Sequence, residues 1–590
     1  MKIRENRTTP FLFGILALWC VFGLYGPAAA QTPASGQNRP RRAATPTPTP
    51  LAAPNTTATP APAVAKPSPT PAGPLSINPL PQVTPTPLVP PSTVDELRDR
   101  IQEILRRPEF APIQIGLKIK SLDSGRDIFE SNGRKLFMPA SNMKGYTFAT
   151  ALARMGPEFR FRTSLYANAK PDAAGLLRGD VILYGRGDPS FAASLNEGDY
   201  YKVFNDFAAK VAATGVKRID GDLIGDESFF TGGPLGFGWE WDDLQTYYGA
   251  PVSALTSNDN AVDVYVKPGP GVGAPALLAF GPTLTGLTIK NGVTTGAAGT
   301  KRAITVRRLL GSGVLEINGN VPLDDKTVKN GYEDSVSVAD PALVFTTLFR
   351  EALGRQGITV TGRVRTMDAA ARMSAPLDTA KLTELSFWES RPLRQITADA
   401  LKPSQNLYTE LVLRALGQYM QEHPLTPAVA PVVPVPLPDA GPTPTPTSVE
   451  LGIAAVQAFL NEAGVPAKTI VMVDGSGLSR HNLITANATV QLYEYMSRHR
   501  YALYFFDALP IGGVDGTLKN RFKGTPAEKN VRAKTGTINY VATLSGYVTS
   551  AAGERFVFSV LVNNYPSESS VRRQSIDEIV ALLAALKARS

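Results

Sequence analysis

The sequence predicts an α+β fold with a large, mostly β insertion, and three observations carry that reading. Apolar residues at helical spacing stand near both ends of the folded body, and strand-like alternation lies just inside each helix. Between these halves runs a long middle rich in Gly, Val, Thr and short strand patterns. At 590 residues with 43% hydrophobic content, the chain is too long for one ordinary core.

The elements follow in order. Lys2, Arg4 and Arg7 precede an apolar run over 11–24, and Ala28, Ala29 and Ala30 offer a small-residue cleavage pattern. Residues 1–30 therefore read as an export signal that leaves no stable membrane span once removed. The expected location is the periplasm or cell envelope, with at most loose attachment to membrane or wall. Residues 31–94 hold 18 of the 50 prolines, a composition that cannot bury enough apolar surface to offset its ordering entropy. They are expected to be a disordered Pro/Thr-rich tether. Residues 95–164 should form the first part of a catalytic domain, with a helix over 95–107 and strands over 113–119 and 126–130. The mostly β insertion is placed at 165–388.

Residues 389–590 should complete the catalytic domain. Strands are expected over 542–548 and 556–562, and a helix over 569–587 has Ile576, Ile579, Val580, Leu583 and Leu586 on one face. A second proline-rich run over 424–447, with nine prolines, is expected to be a disordered surface loop.

Composition excludes several function classes. The net charge is +9. Lys2, Arg4 and Arg7 against Glu5, and Arg39, Arg41, Arg42 and Lys66 against no acid, account for six of those nine charges. A nearly balanced body is not that of a dedicated nucleic-acid binder. The only cysteine, Cys20, lies in the leader, which excludes a disulfide framework and a thiolate nucleophile from the mature chain. With His423, His481 and His499 as the only histidines, no metal site is expected, and no cofactor.

The chemistry starts from one serine. Ser141 opens the helical run over 145–155, and Lys144 follows one turn later on the same face, so its amine can reach the Ser141 hydroxyl. Ser404, Gln405 and Asn406 introduce a second helix over 407–416 and offer a hydroxyl and an amide. Lys534, Thr535, Gly536 and Thr537 precede the strand over 541–548 and could bind a carboxylate, with Gly536 allowing substrate close to the backbone. Each segment alone is a weak signal, but the ordered trio is a strong one. His481 reads as a turn residue, Asp188 and Asp474 as turn carboxylates, and Trp239 and Trp241 as core packing.

At these residues the sequence resembles the penicillin-recognising serine enzymes of the β-lactamase/transpeptidase-like fold. More narrowly, it is similar to the class C low-molecular-mass penicillin-binding proteins, the D-alanyl-D-alanine carboxypeptidase/endopeptidase family. The narrower likeness rests on Gly179-Asp180, Gly187-Asp188-Pro189, Gly221-Asp222, the cluster over 239–243, Tyr247 to Pro251, Asp474 to Arg480 and Asp515 to Leu518. Gln405 departs from the family's commoner aspartate.

The resemblance implies a serine D,D-peptidase. Ser141 would attack the carbonyl between two D-alanines, with Lys144 as base. Ser404 would pass a proton to the leaving amine, and Asn406 would orient substrate and Lys144. Lys534, Thr535 and Thr537 would hold the terminal carboxylate, while Lys534 keeps the local field positive and Lys144 neutral. Backbone N–H groups of Ser141 and Thr537 would form an oxyanion hole, worth about 3–4 kcal/mol per donor. Lys402 matches a family lysine as a supporting residue without an assigned role. The implied partners are peptidoglycan stem peptides, with β-lactam antibiotics as inhibitors. A β-lactamase and a catalytically silent wall-binding module are the alternatives. The first lacks its class A Glu-x-x-Leu-Asn segment here, and three intact motifs speak against the second.

Overall fold

A five-stranded antiparallel sheet brings the two ends of the folded chain together. Its strands are β1 (Gln114–Ser121), β2 (Asp127–Ser131), β3 (Arg532–Ile538), β4 (Val541–Thr549) and β5 (Arg555–Asn563), in the order β3-β4-β5-β1-β2. The computed structural model describes residues 89–282, 287–325, 331–424, 445–565 and 571–590. The leader expected over 1–30, most of the tether expected over 31–94, and residues 425–444 of the proline-rich run lie outside the described residues.

Helices α1 (Val94–Leu105), α2 (Met143–Met155), α3 (Leu393–Leu401), α4 (Asn406–Glu422), α5 (Ser448–Glu462), α6 (Ala486–Arg498) and α7 (Val571–Ala585) pack around this sheet. Strand periodicity explains how one strand serves two cores. On β5, Phe556, Phe558 and Val560 join Leu97 and Ile101 of α1 and Ile576, Ile579 and Leu583 of α7. The alternate residues Val557 and Leu561 join the opposite core with Tyr146 of α2, Leu411 of α4 and Tyr493 of α6. Successive side chains point to opposite faces, so a run of apolar residues is what a strand buried on both sides requires.

Helix starts are also chemically marked. The Thr93 hydroxyl accepts the Glu96 N–H at 3.1 Å to open α1. Thr447 and Glu450 cap α5 reciprocally, each side chain accepting the other's backbone N–H.

The chain between α2 and α3 leaves and returns side by side, because Arg162–Ala167 pairs antiparallel with Thr383–Glu389. These two strands belong to a five-stranded mixed sheet with Val181–Tyr184, Leu223–Asp226 and Val364–Met367. Two three-stranded sheets follow between Ala261 and Ser337. Two long helices also contribute, Lys202–Ala212 and Pro341–Arg355, whose Phe204 and Phe345 rings meet at 4.9 Å. Their spacing (Val203, Phe204, Phe207, Ala208, Val211) is helical, a local signal hidden within a Gly- and Thr-rich average. Among the described residues no helix is long and apolar enough to cross a membrane.

Candidate active site

Ser141 lies in the 3-10 turn Ala140–Asn142 that leads directly into α2. This continuous helical path places Lys144 over Ser141, with Nζ 2.8 Å from Ser141 Oγ. Lys144 is fully buried and has two further partners, Asn406 Oδ1 at 2.6 Å and the Ser476 carbonyl at 2.8 Å. Asn406 in turn donates from Nδ2 to the Tyr248 carbonyl at 2.9 Å, which ties α4 to an arm of the inserted region.

The identity of these partners decides what the amine can do. Asn406 Oδ1 and the Ser476 carbonyl are acceptors only, whereas the Ser141 hydroxyl can also donate. A neutral amine has two N–H groups and one lone pair. Filling the two acceptors with the two N–H groups leaves the lone pair for the Ser141 proton. Burial pushes the Lys144 amine down to about 7, against the opposing pull of the Asp474 and Glu410 carboxylates. The neutral form is therefore accessible near neutral pH.

Lys534 is the second buried lysine. Its Nζ donates to Ser404 Oγ at 2.8 Å and to the Thr535 carbonyl at 2.9 Å. Burial, with the Lys144 charge adding to it, holds this amine well below the ordinary lysine range. Burial is thus the chief cause for both amines, with charge a lesser one. Ser404 has φ of 69° and Ala140, beside Ser141, has φ of 45°, conformations that cost non-glycine residues about 1–3 kcal/mol each. Backbone strain thus sits at Ser404 and at the residue before Ser141.

β3 is the edge strand of the sheet, so alternate backbone groups of Lys534 to Thr537 are not used by a neighbouring strand. Thr535 Oγ donates to Thr517 Oγ at 2.7 Å, and Thr537 is exposed. Gly536 also has a packing role within the protein. A Cβ there would come within 2.6 Å of the Pro139 carbonyl and closer still to Thr543 Oγ, so the missing side chain lets β3 lie against the turn carrying Ser141.

Lys402 is not part of this amine cluster. It pairs with Asp515 at 2.6 Å, while its own carbonyl accepts the Thr517 N–H at 3.0 Å. It thereby links the turn before Ser404 to the residue that holds Thr535. Gln405 caps α4, its Oε1 accepting the Leu407 N–H at 2.9 Å.

Several residues outside the motifs shape the site. Asp474 accepts the Gly477 and Ser479 N–H groups at 2.8 and 2.7 Å, the turn chemistry expected of it. Asp188 does the same with the Ser190 N–H at 2.8 Å. The Ser476 carbonyl on Lys144 had no sequence signal, because any residue supplies one. Trp239 Nε1 donates to Asp474 Oδ2 at 3.0 Å, so the arm over 234–249 packs on this loop. Trp241, expected in a core, is instead 65% exposed. The His481 ring packs at a tilt against Phe237, with ring centroids 4.9 Å apart. Among the described residues no cluster of three or more His, Cys, Asp or Glu is placed to hold a metal ion.

Known proteins resemble this chain along most of its length. The family model described as D-Ala-D-Ala carboxypeptidase 3 (S13) matches residues 97–434 and 439–586. A D-alanyl-D-alanine carboxypeptidase of Actinomadura sp. (strain R39) is 31% identical over 500 residues, 83% of this chain and 84% of its own length. The D-alanyl-D-alanine carboxypeptidase DacB of Haemophilus influenzae is 26% identical over 473 residues, 78% of this chain and 88% of its own. The crystal structure of penicillin binding protein 4 from Haemophilus influenzae shares the fold. It superposes with a TM-score of 0.65 at 24% identity, over 81% of this chain and 97% of that one.

Proposed function

The chain belongs to the D-Ala-D-Ala carboxypeptidase 3 (S13) family, and on that premise we propose which residues perform its serine D,D-peptidase reaction and on what substrate. The substrate is a peptidoglycan stem peptide ending in D-Ala-D-Ala, or a D-alanyl cross-link of the same chemistry. The observation that carries the assignment is the Lys144 amine, whose two N–H groups have acceptors and whose lone pair is left for Ser141.

Ser141 Oγ gives its proton to Lys144 and attacks the carbonyl carbon, whose π electrons move to oxygen. The oxyanion takes N–H donors from Ser141 and from Thr537 on the edge strand. Collapse breaks the C–N bond, and the departing amine takes a proton from Ser404 Oγ, which the Lys144 proton restores. Asn406 holds Lys144 in register through the step. Lys534, with Thr535 and Thr537, receives the substrate carboxylate, which favours the charged form of Lys534 and, by repulsion, the neutral form of Lys144. Water then hydrolyses the acyl-enzyme, with Lys144 as base. β-Lactams would acylate the same serine and be released slowly.

Lys402 supports this machinery through Asp515 and does not touch the reacting atoms. The segment 165–388 is assigned to an inserted unit flanking the cleft, between catalytic parts 95–164 and 389–590. We assign residues 1–30 to export, and with it the enzyme to the periplasm or cell envelope. The test is incubation of the purified protein with pentapeptide and with cross-linked muropeptides, reading products by mass. Loss of one D-alanine from the first, or scission of the second, is expected from the wild type and not from Ser141→Ala. Release by Ser141→Ala at the wild-type rate would remove Ser141 from the role.

A further inference from the structure

We propose that Glu410, which none of the three motifs contains, is a positioning residue for the reaction, clamping the backbone turn that aims Lys144 at Ser141. The proposal rests on Lys144 being the base.

Two successive peptide groups carry the argument. In the first, the Ser476 N–H donates to Glu410 Oε1 at 2.7 Å, while the Gly475 carbonyl accepts from Thr147 Oγ at 2.9 Å. In the second, the Gly477 N–H donates to Asp474 Oδ1 at 2.8 Å, while the Ser476 carbonyl accepts from Lys144 Nζ at 2.8 Å. A trans peptide directs its N–H and C=O oppositely, so a carboxylate fixing one side aims the other. Glu410 Oε1 also accepts the Gly475 N–H at 3.0 Å. Thr147 follows Lys144 by three residues on the same face of α2, so this pair of peptides grips one face of the helix that carries the base.

Glu410 lies one turn after Asn406 on α4. α4 therefore holds Lys144 twice, directly through Asn406 and indirectly through Glu410 and the turn. Glu410 is buried, and without it two buried N–H groups lose their acceptor, which is costlier than an ordinary hydrogen bond is favourable. The charge of Glu410 has a second effect. In its ionised form it raises the Lys144 amine against the lowering by burial, as Asp474 also does, while burial and the Asp474 charge push the Glu410 carboxyl itself up to about 7. The charged groups around Glu410 are Asp474 on the loop, Arg414 on its own helix and Lys144 on α2, with Glu227 acting on Arg414 and Lys534 near Lys144.

The test uses the full chain and the pH dependence of its acylation by a chromogenic β-lactam. Glu410→Gln keeps an acceptor oxygen and removes the charge. Its acylation midpoint should move to lower pH by about one unit, with a limiting rate within about threefold of wild type. Glu410→Ala removes the clamp, and its limiting rate should fall about tenfold or more in a folded protein. Wild-type midpoints and rates in both variants would overturn the proposal, and so would a slower Glu410→Gln with an unmoved midpoint. If Glu410→Ala does not fold, the Glu410→Gln profile decides alone. A wild-type protein that is not acylated at Ser141, or is acylated at a pH-independent rate, would instead remove the base assignment beneath it.

Discussion

Two buried lysines face each other across this site, and the difference between them lies in what surrounds each. Lys144 sits on a helix, with two obligate acceptors and one hydroxyl around its nitrogen. Lys534 sits on an edge strand, bonded to one hydroxyl and one carbonyl, beside backbone groups the sheet leaves unpaired. Burial lowers both amines. Burial makes a lysine deprotonable, and under the proposed mechanism the donor–acceptor balance around each amine separates a base from an anion site.

Removing the base should have the largest effect. Lys144→Met keeps the length and apolar stem but has no lone pair for the Ser141 proton, so acylation and peptide cleavage should fall by about 10³-fold. In the wild type the acylation rate should rise with pH through about 7, because the active form is the unprotonated amine. A pH-flat rate would break the distinction between the two lysines. Lys534→Met should act differently. It should raise KM for D-Ala-D-Ala peptides by roughly 10–100-fold through loss of the carboxylate partner, and move the acylation midpoint upward only if Lys534 bears charge in the free enzyme. Equal losses of kcat with unchanged KM in both variants would mean the two amines share one function.

Gly536→Ala tests the contact between the two halves of the site. A Cβ pressed against the Pro139 carbonyl must displace β3 or the Ser141 turn, at a cost of about 1–3 kcal/mol in stability together with a loss of activity. A variant with wild-type Tm and rate would show that the turn gives way freely. Asp515→Asn should have the smallest effect. It weakens a partly exposed ion pair with Lys402, worth about 1 kcal/mol or less, and should lower kcat/KM only several-fold through Thr517 and Thr535.

The comparison also marks what a reader of the sequence can reach. Lys144 beside Ser141 was legible because a helix of fixed pitch needs only a spacing of three. The central sheet was legible because Phe556 to Val562 alternate between two cores, and α1 and α7 because their apolar stripes are clean. The Ser476 carbonyl was not, since its role depends on where the loop over 474–480 folds and not on its side chain. The packing of Gly536 against the Pro139 carbonyl was not legible either, since it depends on where the Ser141 turn lies against β3. Trp241 was assigned to a core by residue type, and two positions earlier Trp239 takes the bond to Asp474 while Trp241 faces solvent. Glu410 had a sequence signal of its own, the turn of helix from Asn406, but its partners lie 65 and 66 residues further on.

The central claim is that the amine of Lys144 makes Ser141 the nucleophile, and acylation by benzylpenicillin with readout by intact mass and peptide mapping tests it most directly. A gain of one drug molecule per chain is expected, mapped to the peptide containing Ser141, at a rate that climbs through about pH 7 and absent from Ser141→Ala. Labelling that persists in Ser141→Ala, or that maps to any other residue, would contradict it.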